Sequence, residues 1–290
     1  MQSFAFGQGL SAGWCPKPYM AQKPLILAVE TSSRMGSVAI AVGEEMLAET
    51  TFSGPMRHSA EIFPAIQRLL ARINRKSQEI EHVYISIGPG SFTGLRIATT
   101  LAKTIYLAHP PGQTKIVAVD TLDVIAANVI DLTAQNVVRN VHHEPPVVSH
   151  QWQIEPQVSS IEYRNKIAPI LDAKRNQFFL AVYQRTREEK RWKKILPDSL
   201  MTASQFIDKF ADSDMPTWLF GDGLLYYQDK FKAEGIHFLD QKYWSPRASK
   251  VYLLGWQKAL AGQFADPVTL TPNYLLRPDA KEKWQLQKNI

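Results

Sequence analysis

A glycine-rich stretch at residues 88–94 has the composition of a phosphate-binding turn. Gly88, Gly90 and Ser91 follow an apolar run of strand length, and a helical segment with almost no charge begins at residue 93. Such a turn brings backbone N–H groups to the positive end of a helix, where an anion can bind. It can equally let two segments pack closely, and it lacks both the GxGxxG pattern and the Lys-Ser/Thr ending of a P-loop. Both interpretations stay open on this stretch alone.

Two carboxylates that lie at the ends of apolar runs could contribute to phosphate binding. Glu30 precedes a turn that contains Ser32, and Asp172 ends a run of the same kind later in the chain. Gly221 and Gly223 form a second, short glycine turn. If all these groups face one cleft, they could bind ATP through Mg²⁺, as in an ATP-dependent phosphotransferase. No clear general base accompanies them, which argues against that reaction.

The other Asp and His residues that could bind a metal do not have the spacing of a known metal site. Asp120 and Asp123 lie three residues apart near a helix start, where carboxylates more often cap the helix or face solvent. His142, His143 and His150 lie in a proline-rich stretch without further ligands. The sequence has no HExxH motif, which argues against a metallopeptidase. We therefore predict no metal and no other cofactor.

The composition is that of a globular protein with one large core or, as we expect, two medium ones. The chain has 290 residues, 45% of them hydrophobic, and a single cysteine, Cys15. One cysteine excludes an internal disulfide and a thiolate zinc cluster, so we expect the reducing cytoplasm. The net charge of +6 and pI near 9.2 permit an RNA partner without requiring one. No apolar run approaches the ~20 residues of a membrane span, and no membrane partner is predicted.

Two successive parts of the chain show the same predicted order of elements. Residues 1–24 are expected to form a loose extension rather than a secretory signal, with Met20 as a plausible start. Residues 25–130 predict the order β-β-β-α-β-α-β-α. After a polar, proline-containing linker at 131–165, residues 166–290 predict this order again. The sequence thus predicts two similar lobes.

The repeated order is typical of the actin, sugar kinase and Hsp70 superfamily, an α/β fold related to ribonuclease H, in which the lobes face a cleft. Three helix predictions complete the picture. Ser59 is expected to cap the first helix, a helix is expected at 224–234 after the second glycine turn, and helix 247–262 is expected to pack back on the first lobe.

One of the predicted helices carries more apolar surface than one contact can cover. Helix 59–74 has one apolar stripe, whereas helix 93–108 is apolar on nearly every side and has a ridge of small residues that would let a partner helix approach closely. The fold either buries the second helix completely or leaves part of it exposed to a partner. The residues that we predict at such a partner surface are Ile62, Ile66, Leu69, Gly94, Ala98, Leu101, Ala102 and Ile105.

Several motifs, in order along the chain, resemble those of one known family. They are ILAVETSSRMGSVAIA, HSAEIFPAIQRLL, ISIGPGSFTGLRIATTLAKTIYLA, VAVDTLDVIA, ILDAKRNQFFLAVY, FGDG and PNYLLRPDA. Together they resemble the TsaB family, also called YeaZ. The resemblance covers residues 25–130 closely and residues 166–280 more loosely.

This resemblance implies a non-catalytic scaffold in the synthesis of N6-threonylcarbamoyladenosine (t6A) at tRNA position 37. It implies a heterodimer with a catalytic TsaD-type subunit of the same fold, docked through helices 59–74 and 93–108. A TsaE-type ATPase would join them, tRNA would be reached through the complex, and the chain alone could homodimerise. The histidine pair with which TsaD holds a metal has no counterpart in residues 119–128. The cleft groups would then be vestigial, and the ATP-dependent phosphotransferase remains the alternative.

Overall fold

The computed structural model describes residues 23–135, 165–185 and 192–276. Within these ranges the chain forms two lobes, each built on a five-stranded mixed sheet. The predicted α/β class and the repeated order of strands are confirmed. The physical reason is burial: the first strand of each lobe is largely apolar and lies in the middle of its sheet, where both faces are covered.

The first lobe follows the predicted order completely. Its elements are β1 (Leu25–Glu30), β2 (Ser37–Val42), β3 (Glu45–Thr51), α1 (His58–Arg72), β4 (Ile80–Ser86), α2 (Phe92–Ala108), β5 (Lys115–Val119) and α3 (Thr121–Gln135). The sheet order is β3-β2-β1-β4-β5. Strand β2 is antiparallel to β1 and to β3, whereas β1, β4 and β5 run parallel to one another. The turns that follow β1 and β4 therefore meet at one edge of the sheet.

The second lobe repeats the sheet but not every helix. Its elements are β6 (Lys166–Asp172), β7 (Phe178–Arg185), β8 (Trp192–Met201), α4 (Ala203–Phe210), β9 (Thr217–Phe220), β10 (Ile236–Phe238) and α5 (Ala248–Leu260). The sheet order β10-β9-β6-β7-β8 matches that of the first lobe position by position. Strand β6 is antiparallel to β7 and parallel to β9, as β1 is to β2 and β4.

The helix predicted at 224–234 is wrong. The segment forms two short 3-10 turns, Asp222–Leu224 and Gln228–Phe231. The Phe231 ring is fully buried against Phe178, and this tertiary contact outweighs the weak helix propensity of an aromatic-rich segment.

The predicted cap of the first helix is also wrong. Helix α1 begins at His58, one residue before Ser59, and Arg57 occupies the cap position without a side-chain hydrogen bond. The buried His58 ring lies 2.9 Å from the Ser33 carbonyl through Nε2. This contact draws His58 into the first turn, and Ser59 is left exposed.

Each lobe contributes one helix to the core of the other. Helix α5 belongs to the second lobe in chain order but packs on the first sheet, where Gly255 lies against the ring of Tyr84. Helix α3 packs into the second core, and the Asn128 side chain donates hydrogen bonds of 2.9 Å to the carbonyls of Tyr243 and Ser245. The two lobes are thus held together by helices α3 and α5, which also contact each other.

Candidate functional site

The two lobes enclose a cavity of about 750 Å³, which we call the lobe cleft. Both lobes supply its walls. The polar and aromatic residues of the walls that matter below are Ser32, Arg34, Gly90, Ser91, Asp172, Lys174, Arg175, Asp222 and Tyr226. Of the predicted cleft residues, the structure brings Ser32, Gly90, Ser91 and Asp172 to this cavity, whereas Glu30, Gly88, Gly221 and Gly223 do not line it.

Glu30 lies beneath the cleft instead of facing it. Its side chain is fully buried, and its Oε1 atom accepts hydrogen bonds from the Ser32 backbone N–H at 2.6 Å and the Ser32 hydroxyl at 2.5 Å. Burial raises the pKa of Glu30, although hydrogen bonds from Ser32 and Ser86 oppose the shift. The expectation that this carboxylate faces the cleft is therefore corrected, because the turn that follows β1 closes over it.

Replacing Glu30 with glutamine is expected to make the free energy of unfolding less dependent on pH. The folded state raises the pKa of Glu30 above its ordinary value of 4.5, so this group stabilises the fold fully below pH 4.5. That contribution is lost as pH rises through the raised pKa. Glutamine resembles the protonated acid, and Glu30→Gln should therefore gain stability relative to the unsubstituted chain between pH 4.5 and 7. Urea unfolding at several pH values measures this difference, and a constant difference would contradict it.

The first glycine turn serves close packing at two of its glycines. A Cβ atom on Gly88 would lie 2.7 Å from the Asn273 carbonyl oxygen, and one on Gly90 would lie 2.4 Å from that of Ser32. Gly90 and Ser91 nevertheless reach the cleft wall, and the Ser91 hydroxyl caps α2 by accepting from the Gly94 backbone N–H. The turn therefore combines both interpretations that its sequence left open: it packs tightly, and it points the start of α2 at the cavity.

The second glycine turn presents an acid that the sequence reasoning missed. Gly221 has a φ of +129°, and a Cβ atom there would lie 2.1 Å from the Ile170 carbonyl oxygen. Because the Gly221 backbone packs closely against that of Ile170, Asp222, which lies between the two glycines, is placed on the cleft wall. Burial raises the pKa of Asp222, and hydrogen bonds from the Arg34 backbone and the Ser33 hydroxyl oppose that rise. The sequence signal that could have identified Asp222 is its position between the two glycines of the FGDG turn.

Asp172 is tied to its own turn. Its carboxylate accepts hydrogen bonds from the Lys174 backbone N–H at 2.7 Å and from the Lys174 ammonium at 2.8 Å. Lys174, Arg175 and Asn176 have φ values of +67°, +53° and +60°, a run that non-glycine residues seldom adopt. This turn brings Lys174 and Arg175 to the cleft wall, where the sequence had suggested only Asp172.

Asp123 links the lobes and is not part of a solvated face. It accepts a short hydrogen bond from the Tyr183 hydroxyl and forms an ion pair with Lys194, which also contacts Asp198 at 2.9 Å. Burial, followed by the charge of Asp123, raises the pKa of Asp120. Among the residues described, no group of three or more His, Cys, Asp or Glu side chains could hold a metal ion.

The residues predicted at a partner surface lie mostly inside the first lobe. Seven of the eight are buried, and Ile105 is partly buried; the seven are Ile62, Ile66, Leu69, Gly94, Ala98, Leu101 and Ala102. A Cβ atom on Gly94 would lie 1.8 Å from the Thr31 carbonyl oxygen, so the small residues let α2 approach its own sheet. The expectation of direct contact with a partner helix is therefore corrected for five of these seven residues, whereas Ile62 and Leu101 also line an open groove.

The other side of the same two helices forms an open groove of about 430 Å³, which we call the helix groove. Its wall and floor residues are Ser59, Ile62, Phe63, Phe92, Thr93, Arg96, Ile97, Thr100, Leu101 and Thr104. The Phe63 side chain is 58% exposed and Phe92 is 42% exposed, although both are large apolar residues. This groove is the uncovered apolar face of α1 and α2.

Comparisons with known proteins agree with one another. The family model of TsaD, tRNA N6-adenosine threonylcarbamoyltransferase, matches residues 46–149. The tRNA threonylcarbamoyladenosine biosynthesis protein TsaB of Bacillus subtilis is 26% identical over 263 residues, which cover 89% of this chain and 97% of that protein. These matches support an assignment to the TsaB/YeaZ family.

Two other TsaB/YeaZ proteins match part of the sequence or the fold. TsaB of Buchnera aphidicola subsp. Acyrthosiphon pisum is 30% identical over 102 residues, 35% of this chain and 44% of that protein. The solved structure of YeaZ from Pseudomonas aeruginosa has the same fold, with a TM-score of 0.63 and 17% identity. That match covers 87% of this chain and all of the other.

Some predictions fall on residues outside the described ranges. They concern residues 1–22, Cys15, the three histidines at 142, 143 and 150, and the part of the linker at 136–164. No helix within the described ranges is both long enough and apolar enough to cross a bilayer.

Proposed function

We propose that this chain is a non-catalytic subunit in the biosynthesis of N6-threonylcarbamoyladenosine in tRNA, where it supports a TsaD-type threonylcarbamoyltransferase. The observation that carries this proposal is the match to TsaB of Bacillus subtilis, a tRNA threonylcarbamoyladenosine biosynthesis protein, along 97% of that protein's length. A match of this extent includes both lobes, and so it concerns the whole molecule and not one shared motif.

The helix groove is the surface that we assign to the TsaD-type partner. Phe63 projects from α1 with more than half of its side chain exposed, and Ile97 lies across the groove on α2. The floor is formed by Ile62 and Leu101, which belong to the buried core, so the groove is supported from below. Apolar side chains on a rigid base are what a helix of a partner protein can pack against. A TsaE-type ATPase would join this pair, and a second copy of the chain is the competing occupant.

The two carboxylates that the sequence predicted for cleft chemistry, Glu30 and Asp172, support a non-catalytic role. Glu30 has no exposed surface, and Asp172 already accepts two hydrogen bonds from Lys174. A carboxylate that is to bind Mg²⁺ or activate a nucleophile needs an accessible oxygen. In this arrangement the two carboxylates stabilise their own turns, which fits a chain that supports catalysis elsewhere.

The isolated chain is expected to hydrolyse ATP no faster than a matched buffer blank, with Mg²⁺ present. This result follows from the engaged carboxylates and separates the proposed role from that of an ATP-dependent phosphotransferase. Phosphate release over several hours is the measurement. Sustained turnover that disappears in an Asp222→Asn variant would favour the phosphotransferase and contradict the proposal.

A further inference from the structure

Three side chains form a stacked cluster at the end of the helix groove where α2 begins. The Arg96 guanidinium lies over the Phe92 ring, with Cζ 5.3 Å from the ring centroid. Phe92 in turn lies against Tyr274, with 5.0 Å between the two ring centroids. Phe92 and Arg96 both line the groove. The stack therefore holds a cation in a defined place beside the apolar floor of the groove.

Tyr274 is anchored by the segment that precedes it. Leu270 is buried in the core of the first lobe, and the Asn273 backbone N–H donates a hydrogen bond of 2.7 Å to the Ile87 carbonyl. These two attachments fix the backbone on which Tyr274 stands, so its ring supports Phe92 from the side opposite the groove walls of α1. Tyr274 can thus act on the groove through Phe92 without lining it.

The charge of Arg96 is not neutralised by this chain. Among the described residues that line the groove, Arg96 is the only charged one, and no ion pair joins it to an acid in the described ranges. The one acid on α1 is Glu61, which accepts a hydrogen bond of 2.7 Å from the Ser53 backbone N–H and pairs with Arg57 at 2.7 Å. The Arg96 guanidinium is therefore available to a group from another molecule.

The two helices that border the groove carry more positive than negative charge. Exposed Arg68 and Arg72 lie on α1, and α2 contains no acidic residue. Such a surface attracts an acidic partner and disfavours a basic one. A second copy that docked through the same groove would bring two identical cations into one interface, with no carboxylate from the groove walls of either copy. The charges thus favour a partner with a different sequence.

We propose that Arg96 determines which partner binds in the helix groove, by pairing with a carboxylate on a helix of the TsaD-type subunit. This inference rests on the proposed function, in which that subunit occupies the groove. Docking removes the guanidinium from water, and an unpaired cation in an apolar contact is unfavourable. A guanidinium whose face lies on Phe92 keeps its edge free for two parallel hydrogen bonds to a carboxylate. Tyr274 is a positioning residue, because it holds the Phe92 ring in place.

The affinity of the full-length chain for a TsaD-type subunit, measured at two salt concentrations, tests this proposal. Surface plasmon resonance at about 50 and about 300 mM NaCl is suitable, since these values span the range over which charges are screened. Arg96→Glu should bind at least about tenfold more weakly at the lower salt concentration, and its affinity should no longer fall as salt is added. Arg96→Lys should give an intermediate affinity, because lysine keeps the charge but not the planar fork.

The positioning role of Tyr274 is tested by a pair of substitutions. Tyr274→Ala should weaken binding by at least about threefold, because the Phe92 ring loses its support. Tyr274→Phe should stay within about twofold of the unsubstituted chain, since the ring contact is kept. An equal loss of affinity in both variants, or no loss in Tyr274→Ala, would contradict the positioning role.

Charge exchange identifies the acid on the partner. Exposed Asp and Glu residues of the TsaD-type subunit are replaced by lysine, one at a time, and each variant is combined with Arg96→Glu. One of them should restore at least about fivefold of the lost affinity, because the ion pair is re-formed with its charges exchanged. If none of them restores binding, Arg96 does not pair with a single carboxylate, and the proposal fails.

Lys209→Glu is the matched control, since it changes the net charge equally at an exposed position of α4 outside the groove. It should bind as the unsubstituted chain does. The proposal is overturned if Arg96→Glu shows the affinity and salt dependence of this control, even where Phe63→Asp abolishes binding and the groove itself is upheld. Absence of binding by the unsubstituted chain would instead contradict the proposed function. Self-association that is tighter than partner binding would identify a second copy as the occupant and overturn the proposal.

Discussion

Replacing Phe63 with aspartate is expected to abolish co-elution of this chain with a TsaD-type subunit while leaving the melting temperature nearly unchanged. Phe63 is 58% exposed and lines the helix groove, so its removal costs the fold little. In a complex the aspartate would be desolvated in an apolar contact, which costs at least about 2 kcal/mol, or roughly 30-fold in affinity. Size-exclusion chromatography of the mixed subunits measures this loss.

Leu260→Asp provides the matched control for a new surface charge. Leu260 is 69% exposed at the end of α5 and does not line the helix groove. This variant should co-elute with the partner as the unsubstituted chain does. If Phe63→Asp also co-elutes normally, the partner binds elsewhere, and the helix groove is not the docking surface.

Replacing Gly94 with alanine is expected to destabilise the first lobe strongly. The added Cβ atom would lie 1.8 Å from the Thr31 carbonyl oxygen, whereas ordinary contacts begin near 3.4 Å. Helix α2 would have to move away from the end of β1, which would break the 2.7 Å hydrogen bond from the Thr31 hydroxyl to the Gly94 carbonyl. We expect a loss of more than about 3 kcal/mol in the free energy of unfolding, far above the ~1 kcal/mol that alanine gains by helix propensity.

Urea unfolding followed by circular dichroism measures the Gly94→Ala effect, with Gly54→Ala as its control. A Cβ atom on Gly54 would meet only the flexible Arg57 side chain, at 3.6 Å. That variant should stay within about 0.5 kcal/mol of the unsubstituted chain. A loss below about 1 kcal/mol in Gly94→Ala would show that α2 can shift freely against the sheet, contrary to the packing described.

The strand order of both lobes could be predicted because burial leaves a strong pattern. The runs 25–29 and 167–171 are apolar throughout, and each belongs to the central strand of its sheet. Short polar turns after these strands then predicted that the next strand in the chain pairs with them in antiparallel orientation. The pattern was weaker at 224–234, where contacts of Phe231 with distant residues decided the local conformation.

The orientation of α2 could not be read from its sequence. A helix that is apolar on nearly every side does not reveal which side its own sheet covers. The stripe through Gly94, Ala98 and Ala102 suggested a partner surface, but it packs against the chain's own core. The exposed side has a mixed character, with Ile97 next to Arg96 and Thr100, and its periodicity alone gave no distinct signal.

The cleft was located by its glycine turns, but its side chains were identified only in part. Asp172 and Ser32 were expected there and are present. Arg34 comes from the turn after β1, and Asp222 and Tyr226 come from the segment after β9; single-sequence patterns do not report contacts between such distant segments. Glu30 shows the opposite case, since its place at a strand end suggested an accessible acid, and only the fold reveals that the following turn buries it.

The amount of t6A formed in a reconstituted reaction tests the proposed function most directly. The reaction contains tRNA, threonine, bicarbonate, ATP, an enzyme that makes the threonylcarbamoyl adenylate, and TsaD-type and TsaE-type subunits, with or without this chain. We expect t6A to form with the unsubstituted chain and with Leu260→Asp, and to fall to the level without the chain for Phe63→Asp. Equal t6A formation in the presence and absence of the chain would contradict its role as a required subunit.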